Sequence, residues 1–175
     1  VIEPQKIAAI QLAGFLTLSL TWLTPSPSLG SQPSWSSPVI GSGLVNSYLA
    51  PETIYGTGHR GVDYQVRLGQ GVFAPADATV SFVGKVVDRQ VLSLLHQGGT
   101  ISSYEPVCSS LTVGQEVAAG DLVAEVCEAS QDYVQHCIDI LCLHFSTRQD
   151  GEYLSPLWFT GELSPSILLP WIEPS

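Results

Sequence analysis

Two short stretches hold side chains whose types and spacing suit metal chemistry. In "GTGHRGVDYQ", Gly56–Gln65, an imidazole at His59 and a carboxylate at Asp63 stand four positions apart. In an extended strand their Cα atoms would lie roughly 13 Å apart, too far to share one ion. A bend at Gly61 would let the two groups converge. An imidazole, a carboxylate and one further histidine make three protein ligands with an open fourth position, the form of zinc site that activates water. The plain alternative is a loop histidine beside an aspartate that makes a local turn. In "CLHF", Cys142–Phe145, alternation suggests a strand that turns Leu143 and Phe145 into a core. Cys142 and His144 then face outward together, and a histidine presented that way could bind a metal.

The elements that must position these groups read as short strands. The chain has 175 residues, 45% of them hydrophobic, enough for one compact domain with its own core. Sixteen Gly and twelve Pro, with many Val and Thr, favour strands and turns over helices. "GVFAPADATVSFVGKVV" (Gly71–Val87) reads as strand, turn and strand, punctuated at Pro75 and at Ala76-Asp77-Ala78. "RQVLSLLHQGG" and "TISSYEPV" form a hairpin turning at Gly98-Gly99. "ILCLHFSTR" is a last strand, and "GEYLSPLWF" closes the domain. No amphipathic helix of three turns is expected after residue 35. The expected fold is all-β and antiparallel, with strands about every 8–12 residues.

Charge excludes some functions. Sixteen acidic residues against six basic ones argue against binding nucleic acid, whose phosphates need a basic surface. No Lys/Arg run marks a patch for an anionic membrane. Lys6 precedes an uncharged apolar run, Ile7–Trp22, and a Ser/Pro-rich stretch follows. This is the layout of a secretory signal, with small residues near a cut after Gly30; an uncleaved membrane anchor and a core helix are the alternatives. The expected organisation is a signal or anchor at 1–30, a Ser/Pro-rich linker at 31–40, the domain at 41–162 and a tail at 163–175. Cys108, Cys127, Cys137 and Cys142 suit an exported protein with one or two disulfides. Their spacing contains no CxxC pair and is not a zinc ribbon, and the pairing stays open.

"VGQEVAAGDLV" (Val113–Val123) sets Gly114 and Gly120 around Val117, a compact turn that fits a flattened β-sandwich. Lipoyl and biotinyl carrier domains use a similar pattern but need a modifiable lysine at a hairpin tip. Lys85 is the only lysine left in the domain, and "VGKVV" lacks the carriers' flanking residues.

Taken in order, "GHRGVD", "GVFAPADATVSFVG", "ISSYEPV", "VGQEVAAGDLV" and "CLHFSTR" resemble the lysostaphin-type (LytM-like) zinc endopeptidases that cut peptide bonds in bacterial peptidoglycan. The resemblance runs from about Trp35 to Leu157 and looks closest to a subgroup of actinobacterial type. It implies the LytM-like flattened sandwich, a barrel-sandwich hybrid, with Zn2+ held by His59, Asp63 and His144. It also implies peptidoglycan peptides as substrate and a secreted or cell-envelope location. Membrane contact is expected only through an uncleaved N-terminus.

The departures fall on the family's two assisting histidines. The first histidine of its H-x-H strand is Cys142 here, and the histidine of its Y-x-H-L segment is Pro106. Three residues are candidate catalytic replacements. Glu105 adjoins the lost position, although strict alternation turns it to the opposite face. His136 lies six residues before Cys142 in a loop. Cys142 could be a fourth, thiolate ligand that closes the site, or could pair with Cys137. The alternative function is a non-catalytic module that binds peptidoglycan or regulates a partner cell-wall hydrolase; a zinc-stapled structural domain follows if Cys142 is a ligand. Among other residues, His96 is expected to cap a hairpin end and Tyr104 to line the cleft or pack beneath it. Arg60 would hold a substrate carboxylate or face solvent, and Trp158 and Phe159 read as core.

Overall fold

Alternating apolar residues and turn-forming punctuation produce the strands that the sequence predicts. The computed structural model describes residues 35–53, 55–129, 137 and 139–163. His136, residues 1–34 and the tail beyond residue 163 lie outside the described residues. The strands are β1 (Leu44–Asn46), β2 (Gly61–Gln65), β3 (Gly71–Phe73), β4 (Ala78–Val86), β5 (Arg89–His96) and β6 (Ile101–Glu105). Then come β7 (Val107–Cys108), β8 (Glu116–Val117), β9 (Leu122–Val126), β10 (Cys142–Gln149) and β11 (Glu152–Leu154). The single described α-helix, α1 (Pro156–Thr160), is short, and the fold is all-β and antiparallel as expected.

One large sheet runs β1-β2-β10-β6-β5-β4-β8, with β11 added on β10; a smaller one runs β3-β9-β7. The core between them is the apolar half of each alternating strand. Val62 and Tyr64 of β2, Leu143 and Phe145 of β10, and Leu92 and Leu94 of β5 are buried in the same cluster as Val72, Val123 and Val126 of the small sheet. Tyr104 packs beneath the site rather than lining it: it is fully buried, its ring stacks on Phe145, and burial pushes its phenol above the usual range. Trp35 and Val39, within the stretch read as linker, also belong to this core. Phe159 is buried against Trp35, whereas Trp158 is 51% exposed, so only one of the two aromatics is core. The short helix has one inward face and Trp158 lies off it.

Two features of the backbone bear on the site. The hairpin between β5 and β6 turns through Gln97–Gly99, where Gly98 adopts φ 82°, a left-handed value that glycine takes without Cβ strain. At Pro106, after a cis bond from Glu105, the chain leaves the large sheet: β6 ends its pairing at Glu105, and Val107 begins a strand of the small sheet. Proline has no N–H to donate, so it suits a place where a ladder stops.

Candidate metal centre

Register brings the chemistry-bearing residues into one row. Asp63 on β2 lies directly opposite Asn46 on β1 and His144 on β10, and His144 lies opposite Glu105 on β6. Directly opposed residues of antiparallel strands point to the same side of a sheet, so Asn46, Asp63, His144 and Glu105 share one face. His59 precedes β2; a single bridge to Leu49 folds it back beside the row. Gly61, between His59 and Asp63, passes so close to β10 that a Cβ there would collide with the Phe145 carbonyl and come within 2.7 Å of the His144 ring. Only glycine lets the backbone pass at that distance.

Three ligand-type atoms converge. Asp63 Oδ1 is 2.7 Å from His144 Nδ1 and 3.1 Å from His59 Nε2, and the two ring nitrogens are 3.2 Å apart. Bonds of about 2.0–2.1 Å in tetrahedral zinc put neighbouring ligands roughly 3.3 Å apart, so this triangle has the size of a three-ligand zinc face. The His59 tautomer agrees with that use. His59 Nδ1 donates to the Ser47 carbonyl at 2.8 Å, which leaves Nε2 with its lone pair toward the triangle when the ring is neutral. Without a cation, the Asp63 carboxylate draws a second proton onto His59 and raises its pKa, against a smaller opposing effect of burial. Asp63 is fully buried, and its other oxygen, Oδ2, accepts a hydrogen bond from Asn46 Nδ2 at 2.9 Å.

The remaining candidates agree with the sequence reading in part: the pairing of Cys142 with Cys137 is borne out, and the directions of Cys142, His144 and Glu105 are not. Cys142 shares a face with His144, but both are only 8% exposed rather than turned out to solvent. Cys142 is bonded to Cys137, and Cys108 to Cys127, so no described cysteine offers a thiolate. Glu105 is not turned away from the site: it stands opposite His144, because Pro106, from which alternation would be counted, leaves the sheet. Its Oε2 lies 3.0 Å from Arg89 Nε, and Arg89 Nη1 also pairs with Asp88 at 2.7 Å. Arg60 donates to the Gly56 carbonyl at 3.0 Å and lies 5.9 Å from the Tyr153 ring centre. Asn46, the Ser47 carbonyl and Arg89 escaped sequence reasoning, since their roles come from register and loop geometry that no local pattern encodes.

His96 centres a second, separate polar cluster. It is buried at the end of β5, its ring centre 4.1 Å from that of Trp35. Nδ1 lies 3.1 Å from the Asp77 carbonyl and Nε2 2.7 Å from Ser102 Oγ, which is itself 2.8 Å from Tyr104 Oη. No carboxylate is among these partners, and burial pushes the ring down to about 4.

The comparisons with known proteins agree with this fold. The uncharacterized protein Rv2891 of Mycobacterium tuberculosis is 36% identical over 118 residues, which are 65% of this chain and 46% of the relative; the chain thus spans about half the length of the curated relatives it matches. The catalytic domain of the antimicrobial peptidase lysostaphin from Staphylococcus simulans superposes with a TM-score of 0.56 at 19% identity, covering 69% of this chain and 92% of that one. A chain of the SpoIIQ–SpoIIIAH pore-forming complex superposes with a TM-score of 0.58 at 20% identity, over 74% and 92%. The model of peptidase family M23 matches residues 57–156, more than half of the chain and all of the converging residues, and on that match the chain belongs to peptidase family M23.

Proposed function

We propose that this chain is a zinc metalloendopeptidase that cleaves peptide bonds of peptidoglycan outside the cytoplasm. The observation that carries the reading is the convergence of His59 Nε2, Asp63 Oδ1 and His144 Nδ1 in a triangle of zinc-ligand size, within the segment that matches the family. These three residues would hold the ion. Bound there, zinc would supply Lewis acidity and the activation of water.

The chain's own residues would do the rest. The Ser47 carbonyl fixes the His59 tautomer, so that its lone pair is presented and its proton stays on Nδ1. Glu105, on the same face as His144, is the carboxylate we assign to proton transfer, and Arg89 orients it from β5. Pro106 and Cys142 cannot take the parts of the family's assisting histidines, since one has no titratable group and the other is in a disulfide. A positioned acid–base group contributes about 10²–10⁴-fold, so turnover slower than that of a family member with both histidines is expected. Two disulfides and the apolar segment at Ile7–Trp22 support an exported, oxidising location.

The same two replacements favour a second reading, a non-catalytic module that binds peptidoglycan or a hydrolase. The likeness to a chain of the SpoIIQ–SpoIIIAH complex is in keeping with a partner-binding use of the fold. Digestion of purified peptidoglycan, with the fragments identified by mass spectrometry, separates the two. New peptide termini that appear with zinc and vanish with His144→Ala are expected; intact peptidoglycan retained by zinc-loaded protein would favour the module.

A further inference from the structure

We propose that Asn46 is a positioning residue for the metal centre and that the Cys137–Cys142 disulfide holds it there. The proposal rests on the metal-binding reading above and assigns a purpose to the cysteine that replaces the family's histidine. Asn46 ends β1 opposite Asp63, and its amide faces two partners. Nδ2 donates to Asp63 Oδ2 at 2.9 Å and reaches Cys137 Sγ at 3.6 Å, a weak acceptor. Cys137 Sγ also touches Asp63 Oδ2 at 4.0 Å; a disulfide sulfur has no proton, so this is a packing contact. Cys142, at the other end of the disulfide, lies two residues before His144 on the same face of β10.

These contacts close a ring. It runs from His144 along β10 to Cys142, through the disulfide to Cys137, across Asn46 to Asp63 and back to His144. Asp63 is fully buried, so the direction of its Oδ1 depends on what holds Oδ2. Asn46 satisfies that oxygen and stops the carboxylate from rotating, and the sulfur stops Asn46 from swinging away. Where the family's histidine would move a proton, Cys142 anchors the support of a ligand. Partners of metal ligands that lie outside the coordination shell are worth about 10–100-fold in metal affinity.

The test is zinc affinity, by competition with a chromogenic chelator, alongside the thermal midpoint of the metal-free protein. Asn46→Ala is expected to weaken zinc binding about 10–100-fold, and to lower the metal-free midpoint only by the loss of one buried hydrogen bond, with the protein still folded. The Cys137→Ser/Cys142→Ser variant, which offers no thiolate, is expected to lose a similar factor. Combining the changes should cost no more than the larger single loss, because the residues act through one contact. Affinity unchanged in Asn46→Ala overturns the proposal, and fully additive losses overturn the part given to the disulfide. If the serine variant does not fold, Asn46→Ala decides the positioning, and zinc affinity of the native chain measured after reduction and alkylation of its cysteines decides the part given to the disulfide: an unchanged affinity overturns that part. A native chain that binds no zinc overturns the metal-centre reading and this proposal with it; native binding with an unaffected Asn46→Ala overturns only the positioning.

Discussion

Among the described residues, two polar clusters are centred on histidine and do opposite things. His59 and His144 converge on a buried carboxylate, and Asp63 raises the pKa of His59. His96 sits among a carbonyl, a hydroxyl and an indole ring, and burial lowers it to about 4. The first cluster concentrates negative charge and lone pairs where a cation can stand. The second holds a ring that is neutral near pH 7 as a polar rivet between β5 and β6. What a histidine does here is decided by whether a carboxylate faces it, not by burial alone.

That contrast can be broken or sharpened by experiment. The largest expected effect is on chemistry at the first cluster. Glu105→Gln should lower peptide-bond cleavage by about 10²–10⁴-fold while leaving zinc content unchanged; equal rates in steady-state assays would remove Glu105 from the reaction. A smaller effect concerns stability at the second cluster. The folded-state pKa of His96 lies below its unfolded value of about 6.5, so its neutral form stabilises the protein above that pH. As pH falls from about 6.5 toward 4, stability on the order of 3 kcal/mol should be lost. Denaturant unfolding at a series of pH values measures it, and His96→Gln should flatten that limb. The smallest effect has the opposite sign and belongs to metal-free protein. There His59 is raised, so its contribution is present below pH 6.5 and fades as pH climbs through its folded pKa. His59→Gln should remove this second limb and leave the first intact.

Much of the fold was legible because its signals are local. Alternation in "VDY" and "LHF" marks β2 and β10, and the Gly98-Gly99 pair marks the hairpin. The convergence of His59 and Asp63 was only half legible: a four-residue spacing with a glycine inside it allows the bend but equally suits a loop histidine beside a local turn, and only the resemblance of the surrounding motifs separates the two. Glu105 departs from the sequence expectation for a nonlocal reason: alternation through Pro106 turns it away, but the chain changes sheets there. Asn46 was invisible because only register sets it across from Asp63, and register is decided by distant partners. Trp158 is core by residue type alone, but of the two aromatics on the short helix only Phe159 is buried.

Metal analysis of protein purified without added chelator tests the central claim most directly. About one zinc per chain is expected, from the three-ligand open site, lost in Asp63→Ala and in His144→Ala and retained in His96→Gln. Folded protein that carries no zinc and takes none up, or zinc content unchanged by Asp63→Ala, would contradict it.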